Sequence, residues 1–374
     1  MKKKKVLIVT ESVSYGGNNI VAMNIEKHLD KEKFECTYCV RRDTVGAFEE
    51  EVLSRGIRVI HVPDSDLSYL KSFSFYCDLF KSEQFDVIHS HLPFVSALIF
   101  KAAKKYGNPK CIAHGHFTQP YNDAANINAL RMIIGDCYRS TMRILLKKYC
   151  DVELACSDIA GHYLFGKNEF RKNGLVVNNG IEYSRFEFNK IARKKIRDEL
   201  DIQDRDIVIG HIGLMNAVKN QALVIDIFDE FNKKHNNVHL VLVGDGPDID
   251  KFKEYASEKQ SCSKIHFIGH RNDTDKLYSA FDCFVFPSVH EGFPLTLIEA
   301  QASKLSCLVS DNVNCICKVN DNFKFCSLDD SAAVWAEIIE SLVKYNRESI
   351  DNSKLKEEFD IDNISKIIES IYSD

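Results

Sequence analysis

Hydrophobic residues fall along this chain in short β-branched runs separated by stretches of helical period. VLIVT (6–10), FECTYCV (34–40), IRVIHV (57–62), DVIHSH (86–91), KCIAHGH (110–116), VELACS (151–156) and LVVN (175–178) make a first series. A charged helical stretch over 186–203 leads into a second: IVIGHIG (207–213), VHLVLVG (238–244), KIHFIG (264–269), CFVFPS (283–288) and LSCLVS (305–310). Apolar strands that alternate with helices predict βαβ units, hence parallel sheets covered on both faces. The fold class expected is therefore α/β, with two Rossmann-like doubly wound domains at 1–185 and 186–374. The helical pattern from about residue 331 caps the second domain. Two such halves are expected to face each other across a cleft at the carboxyl ends of their strands, where open α/β sheets bind ligands.

Length agrees with two cores, since 374 residues exceed the size at which one core keeps growing. A composition of 45% apolar and 28% charged residues, with 7 prolines, excludes a disordered or fibrous chain. The net charge of -5 argues against a general nucleic-acid binder. Charge is uneven, however: residues 101–150 hold nine Lys or Arg against Asp123 and Asp136. After Lys2 to Lys5 the apolar run stops at Thr10, too short for a secretory h-region, and no window has the length of a membrane span. The 13 cysteines are odd in number and scattered through apolar runs, which reads as buried thiols in a reducing cytoplasm. Cys36 and Cys39 lie three apart in a strand, so their side chains face opposite ways.

Candidate chemistry concentrates after the strand CFVFPS. Glu291 precedes the turn Gly292-Phe293-Pro294, and a helix is expected from Leu295 through Thr296 to Glu299 and beyond. Free N–H groups and the positive dipole at such a helix start suit a pyrophosphate, and Gly292 permits close approach of a ligand. Gly16 and Gly17, ahead of a helix expected near Asn18 or Asn19, repeat that arrangement after the first strand. No Gly-x-Gly-x-x-Gly follows this strand, which counts against a nicotinamide enzyme.

Two glutamates eight residues apart around a Gly-Phe-Pro turn, together with Gly16-Gly17, Asp86-Val-Ile-His-Ser-His91, Ala155-Cys-Ser157, Asn179-Gly-Ile181, Val243-Gly-Asp-Gly-Pro247 and Phe286-Pro-Ser288, resemble the family 4 retaining glycosyltransferases over nearly the whole chain. The closest local pattern is that of members that build bacterial capsule and exopolysaccharide. The resemblance implies a GT-B fold and a nucleotide-diphosphate sugar, by default a UDP-sugar, as donor substrate. It implies no cofactor and no metal, with Glu291 beside the donor sugar and Glu299 on the ribose hydroxyls. It assigns the diphosphate to Lys219 on the loop that starts at Gly213, Arg271 to a loop passing the base, and His116, with His114 as the alternative, to the donor sugar. In the same loop Leu214 stands where the family has an arginine. Loss of one charged hydrogen bond costs about 1.5 to 3 kcal/mol unless another donor replaces it.

His89 and His91, and again His114 and His116, lie two apart on strands, so each pair shares a face. They are read as locally hydrogen-bonded histidines rather than a metal site. The stretch 125–149 mixes Leu, Ile and Met with Arg and Lys: it is expected either to rest on the inner face of the membrane beside a lipid-linked saccharide acceptor, or to be a core helix with a solvated basic face. The function expected is a cytoplasmic hexosyl or N-acetylhexosaminyl transferase that acts on a saccharide acceptor. The alternatives are a catalytically weak or silent partner subunit and an enzyme that epimerises or hydrolyses nucleotide sugars.

Overall fold

The computed structural model describes residues 2–63, 69–117, 129–313 and 315–374. They form two compact units, one of residues 1–180 and 361–374, the other of residues 181–360.

The first unit holds a parallel sheet of seven strands: β1 (Lys4–Thr10), β2 (Phe34–Val40), β3 (Arg58–His61), β4 (Val87–Ser90), β5 (Lys110–Gly115), β6 (Val152–Ala155) and β7 (Leu175–Val176). Their order is β3-β2-β1-β4-β5-β6-β7. The second unit has six: β8 (Ile207–Ile212), β9 (Val238–Val243), β10 (Ile265–Phe267), β11 (Cys283–Phe286), β12 (Ser306–Ser310) and β13 (Phe323–Cys326), in the order β10-β9-β8-β11-β12-β13. Every recorded pairing is parallel, and the two-unit α/β expectation is met. In each sheet the order reverses beside the first strand, between β1 and β4 and between β8 and β11. Such a switch point leaves a crevice at the strand ends, because the flanking helices turn away on opposite faces.

All the expected strands are present, with β13 in addition. The helix Ile361–Ser373 differs from expectation, since it belongs to the first unit rather than capping the second. The cause is side-chain chemistry: Tyr372 is buried with its hydroxyl 2.7 Å from His89 Nδ1, Lys4 Nζ donates to the Tyr372 and Ser373 carbonyls, and Phe34 packs edge-on against Tyr372. The core of the second unit closes instead over the helix Ala332–Leu342, which buries Trp335, Ile339 and Leu342 against Phe228 and Phe231. At the base of β8 and β11, Asp282 accepts from Arg193, from the buried Arg197 and from the Val208 N–H at 2.6 to 2.8 Å, which ties the two central strands together.

The described cysteines are free thiols. Burial pushes Cys36 and Cys39 up to about 12, so both stay protonated and inert.

Candidate active site

The loop after β8 is shaped by its neighbours. Gly213 donates to the Val243 carbonyl, Met215 to that of Asp245, and Asp248 back to that of Met215. Gly244 has φ +132, and a Cβ there would sit 2.0 Å from the Gly213 carbonyl oxygen, so this close approach of two backbones requires glycine. Asn220, in the left-handed region at φ 57, turns the chain into the helix Gln221–Asn232. Val289 N–H donates to the Val218 carbonyl and joins this loop to the one after β11.

That junction brings together two residues 72 positions apart. Lys219 Nζ lies 2.5 Å from Glu291 Oε1, with both side chains largely buried. The ammonium also sits 4.8 Å from the centre of the Phe286 ring, whose face attracts it. Beneath them His211 is wholly buried, with Nδ1 on the Val285 carbonyl; burial lowers it to about 4, so it adds no charge of its own.

The helix Leu295–Ala302 starts as expected, directly after Pro294, and no side chain caps it. Leu297 N–H already donates to the Pro294 carbonyl at 3.1 Å, which leaves the N–H groups of Leu295 and Thr296 for an anion. Ser288 Oγ, Thr296 Oγ1 and Gln221 Oε1 are buried without a protein partner around the two loops. Unmade hydrogen bonds of that kind cost about 1 to 3 kcal/mol each and concentrate where a ligand completes them. Phe293 plays another part, since its ring stacks on Phe359 and anchors the turn. Glu299, partly exposed, accepts from the buried Tyr278 hydroxyl at 2.8 Å; desolvation of the carboxyl raises it to about 7.

Leu214 is 54% exposed, so there is room for a longer side chain where it stands. Arg271 donates to Asp273 at 2.8 and 2.9 Å and to Glu199 at 2.5 Å, so its charge is already met. Lys219 is the cation that these loops offer, which follows from Leu214 and from Arg271 being engaged elsewhere.

The remaining candidates lie in the first unit. Gly16, at φ +127, precedes a helix that runs Gly17–His28, one or two residues earlier than expected. Asn19 in its first turn accepts from the Thr10 hydroxyl at 2.7 Å and donates to Ser12. His116 is buried at the end of β5 with Nε2 2.9 Å from His91 Nδ1, and His89 Nε2 lies 3.2 Å from His114 Nδ1. Burial first, and mutual repulsion second for all but His116, lower all four, His89 and His116 to about 3. The shared faces read from the i, i+2 spacing are present. What spacing could not show is that the two pairs meet as one cluster, in which ring nitrogens of His89, His91 and His114 lie within 4.8 Å of one another.

Sequence reasoning missed Tyr278 and Tyr372, which carry no local signal; Phe286 was visible only as part of a motif. Arg139 and Lys147 of the helix Ala129–Tyr149 are paired with Asp136 and Glu169, and residues 125–128 of the expected interfacial stretch lie outside the described residues.

Comparison with known proteins gives the family and the fold. The model for glycosyltransferase family 4 matches residues 15–211, and that for glycosyl transferases group 1 matches residues 192–359. Among curated relatives, the putative glycosyltransferase EpsF of Bacillus subtilis (strain 168) is 29% identical over 90% of this chain and 87% of its own length. The capsular polysaccharide biosynthesis glycosyltransferase CapH of Staphylococcus aureus is 28% identical over 98% of each. In fold, Anabaena Alr3699/HepE, crystallised with UDP and glucose, superposes with a TM-score of 0.78 at 17% identity over 99% of both chains, and the architecture is GT-B. The chain belongs to glycosyltransferase family 4.

Proposed function

We propose that this glycosyltransferase moves a hexose or N-acetylhexosamine from a UDP-sugar to a saccharide or lipid-linked saccharide during synthesis of a cell-surface polysaccharide. The observation that carries this reading is the Lys219–Glu291 contact beside the uncapped start of the helix Leu295–Ala302. A diphosphate that arrives there takes Lys219 Nζ and the helix N–H groups as donors in place of a metal, and Glu291 is released toward the sugar. Glu299, once ionised, accepts from the ribose hydroxyls, and Gly213 and Gly292 let the ligand approach the backbone.

In the transfer the bond from the anomeric carbon to the diphosphate oxygen breaks while the acceptor hydroxyl adds on the same face, which retains configuration. The acceptor proton passes to the departing diphosphate. Donors fixed where this negative charge develops are the main source of rate. The UDP and glucose bound to HepE support the choice of donor. So does the UDP-Gal:alpha-D-GlcNAc-diphosphoundecaprenol alpha-1,3-galactosyltransferase of Escherichia coli, 26% identical over 75% of this chain.

Calorimetric titration with UDP and a panel of nucleotide sugars tests the reading, with Lys219→Ala and Glu299→Ala as controls. Micromolar binding weakened by both supports it. No binding to any nucleotide favours the second reading, a silent partner subunit, to which the observation of Leu214 in the arginine position points.

The helix Ala129–Tyr149 exposes Ile133, Ile134 and Ile144 at 59, 60 and 71%. We assign it a peripheral membrane contact that is mainly apolar, because part of its basic charge is already paired. Flotation with anionic liposomes that persists at high salt is expected; failure to float at low salt overturns the assignment.

A further inference from the structure

The four histidines at the ends of β4 and β5 are absorbed by no step of sugar transfer except through His116. Four imidazoles with ring centres 4.3 to 5.3 Å apart fill the space between these strands. Among the described residues their recorded partners are one another, Tyr372, Asn179 and the backbone at Val177, and none is a carboxylate. Apolar side chains would fill such a place at lower cost, since each buried ring carries one N–H and one acceptor that must be satisfied.

We propose that His89, His91 and His114 form a binding site for a first-row transition-metal dication of the zinc class, with the fourth position open to water. One ring nitrogen from each already lies within 4.8 Å of the other two. His89 Nε2 and His114 Nδ1 are 3.2 Å apart, while metal–nitrogen bonds of 2.0 to 2.1 Å in a tetrahedron set two ligands about 3.3 Å apart. Rotation of the His91 ring completes the set.

Donor chemistry selects the ion. A neutral, all-imidazole set suits zinc, copper or nickel, whereas magnesium and calcium require the carboxylates that are missing here. Burial keeps the rings in the neutral form that binds metals. Tyr372 supplies the outer contact: its hydroxyl both donates and accepts, so it holds His89 Nδ1 in whichever tautomer leaves Nε2 free for the ion. The metal in this proposal clamps β4 to β5 and is separate from the diphosphate chemistry of the second unit.

The test uses untagged, chelator-stripped full-length protein titrated with zinc chloride and with cobalt chloride. One ion per chain is expected, and at about 100 times Kd the unfolding midpoint of the first unit, residues 1–180 and 361–374, should rise by about 5 to 10 °C. Tyr372→Phe should weaken binding about 10 to 100-fold, and His91→Gln should abolish it. The half-buried pair His239 and His266, 3.0 Å apart, is the control, and His239→Gln should leave the stoichiometry unchanged. Cobalt bound by the unmodified protein should show the intense visible bands of a tetrahedral nitrogen site, a readout that does not depend on any variant folding. Absence of those bands, binding that survives His91→Gln, or binding that is lost in His239→Gln overturns the proposal.

Discussion

The two units share one topology and use the same place in it, the ends of the strands beside the switch point, for opposite electrostatics. After β4 and β5 the first unit gathers four imidazoles that burial holds neutral, with no acid among their recorded partners. After β8 and β11 the second unit gathers an ammonium, a carboxylate 2.5 Å away and a second carboxylate raised to about 7. Neutral rings packed against each other offer lone pairs but no charge. A Lys–Glu contact at a loop junction can trade the carboxylate for phosphate at little net cost, because one charged hydrogen bond replaces another. Geometry of the sheet therefore fixes where chemistry sits, and the side chains on two loops decide what it is.

Substitutions that strip one side of the contrast should have the largest effects. Asp282→Ala is expected to destabilise the second unit by about 3 to 5 kcal/mol, because it leaves Arg193 and the buried Arg197 without their shared carboxylate; chemical denaturation reads this directly. Lys219→Ala should lower kcat/KM about 100 to 1000-fold, as befits a donor to developing charge. Leu214→Arg, at an exposed position, should tighten UDP binding about 10 to 100-fold, and no gain would show that the loop does not face the diphosphate.

Effects of pH should differ in sign between the two places. Each histidine of the metal-free cluster has a folded pKa below its unfolded value of about 6.5, so its contribution is present above that pH and is lost as pH falls, by up to about 1.4 kcal/mol per unit. Thermal unfolding of His91→Gln should show a flatter acid limb. Glu299 runs the other way: raised to about 7, it favours the fold at low pH and loses that as pH rises through 7. In the proposed reading the ribose hydroxyls donate to its carboxylate, so UDP affinity should rise about fivefold from pH 6 to 7 and about twofold more above pH 7, and Glu299→Gln should remove the dependence. The smallest effect is expected for Arg271→Ala, under about threefold on UDP affinity, since Glu199 and Asp273 already hold that charge.

Much of this was legible in the sequence because it depends on local order. Strand runs, the Pro294 helix start and the Glu291 to Glu299 spacing are written in consecutive residues. What was not legible depends on pairing at a distance. β13 reads FKFC, with Lys324 exposed and only four residues, too short for a periodic signal. The pattern ISKIIESIY announces an amphipathic helix but not which sheet its apolar face covers; that is settled by Tyr372 meeting His89, 283 positions away. The i, i+2 spacing gave the shared face of each histidine pair, but joining the pairs needed the register of β4 on β5. Arg271, expected near a base, is held by an acid on a helix 72 residues earlier, which no motif records.

Because residues 361–374 complete the first unit, residues 181–360 are an insertion within it, and the chain passes between the units twice. The two passages run side by side, with Ile181 N–H on the Phe359 carbonyl and Gly180 against Ile361. During synthesis the inserted unit has all its strands once residue 360 has emerged, whereas the enclosing one must wait for the final helix to supply Tyr372 and the Lys4 acceptors. The unit begun first is therefore the one completed last, and until its closing helix arrives His89 Nδ1 lacks the Tyr372 hydroxyl.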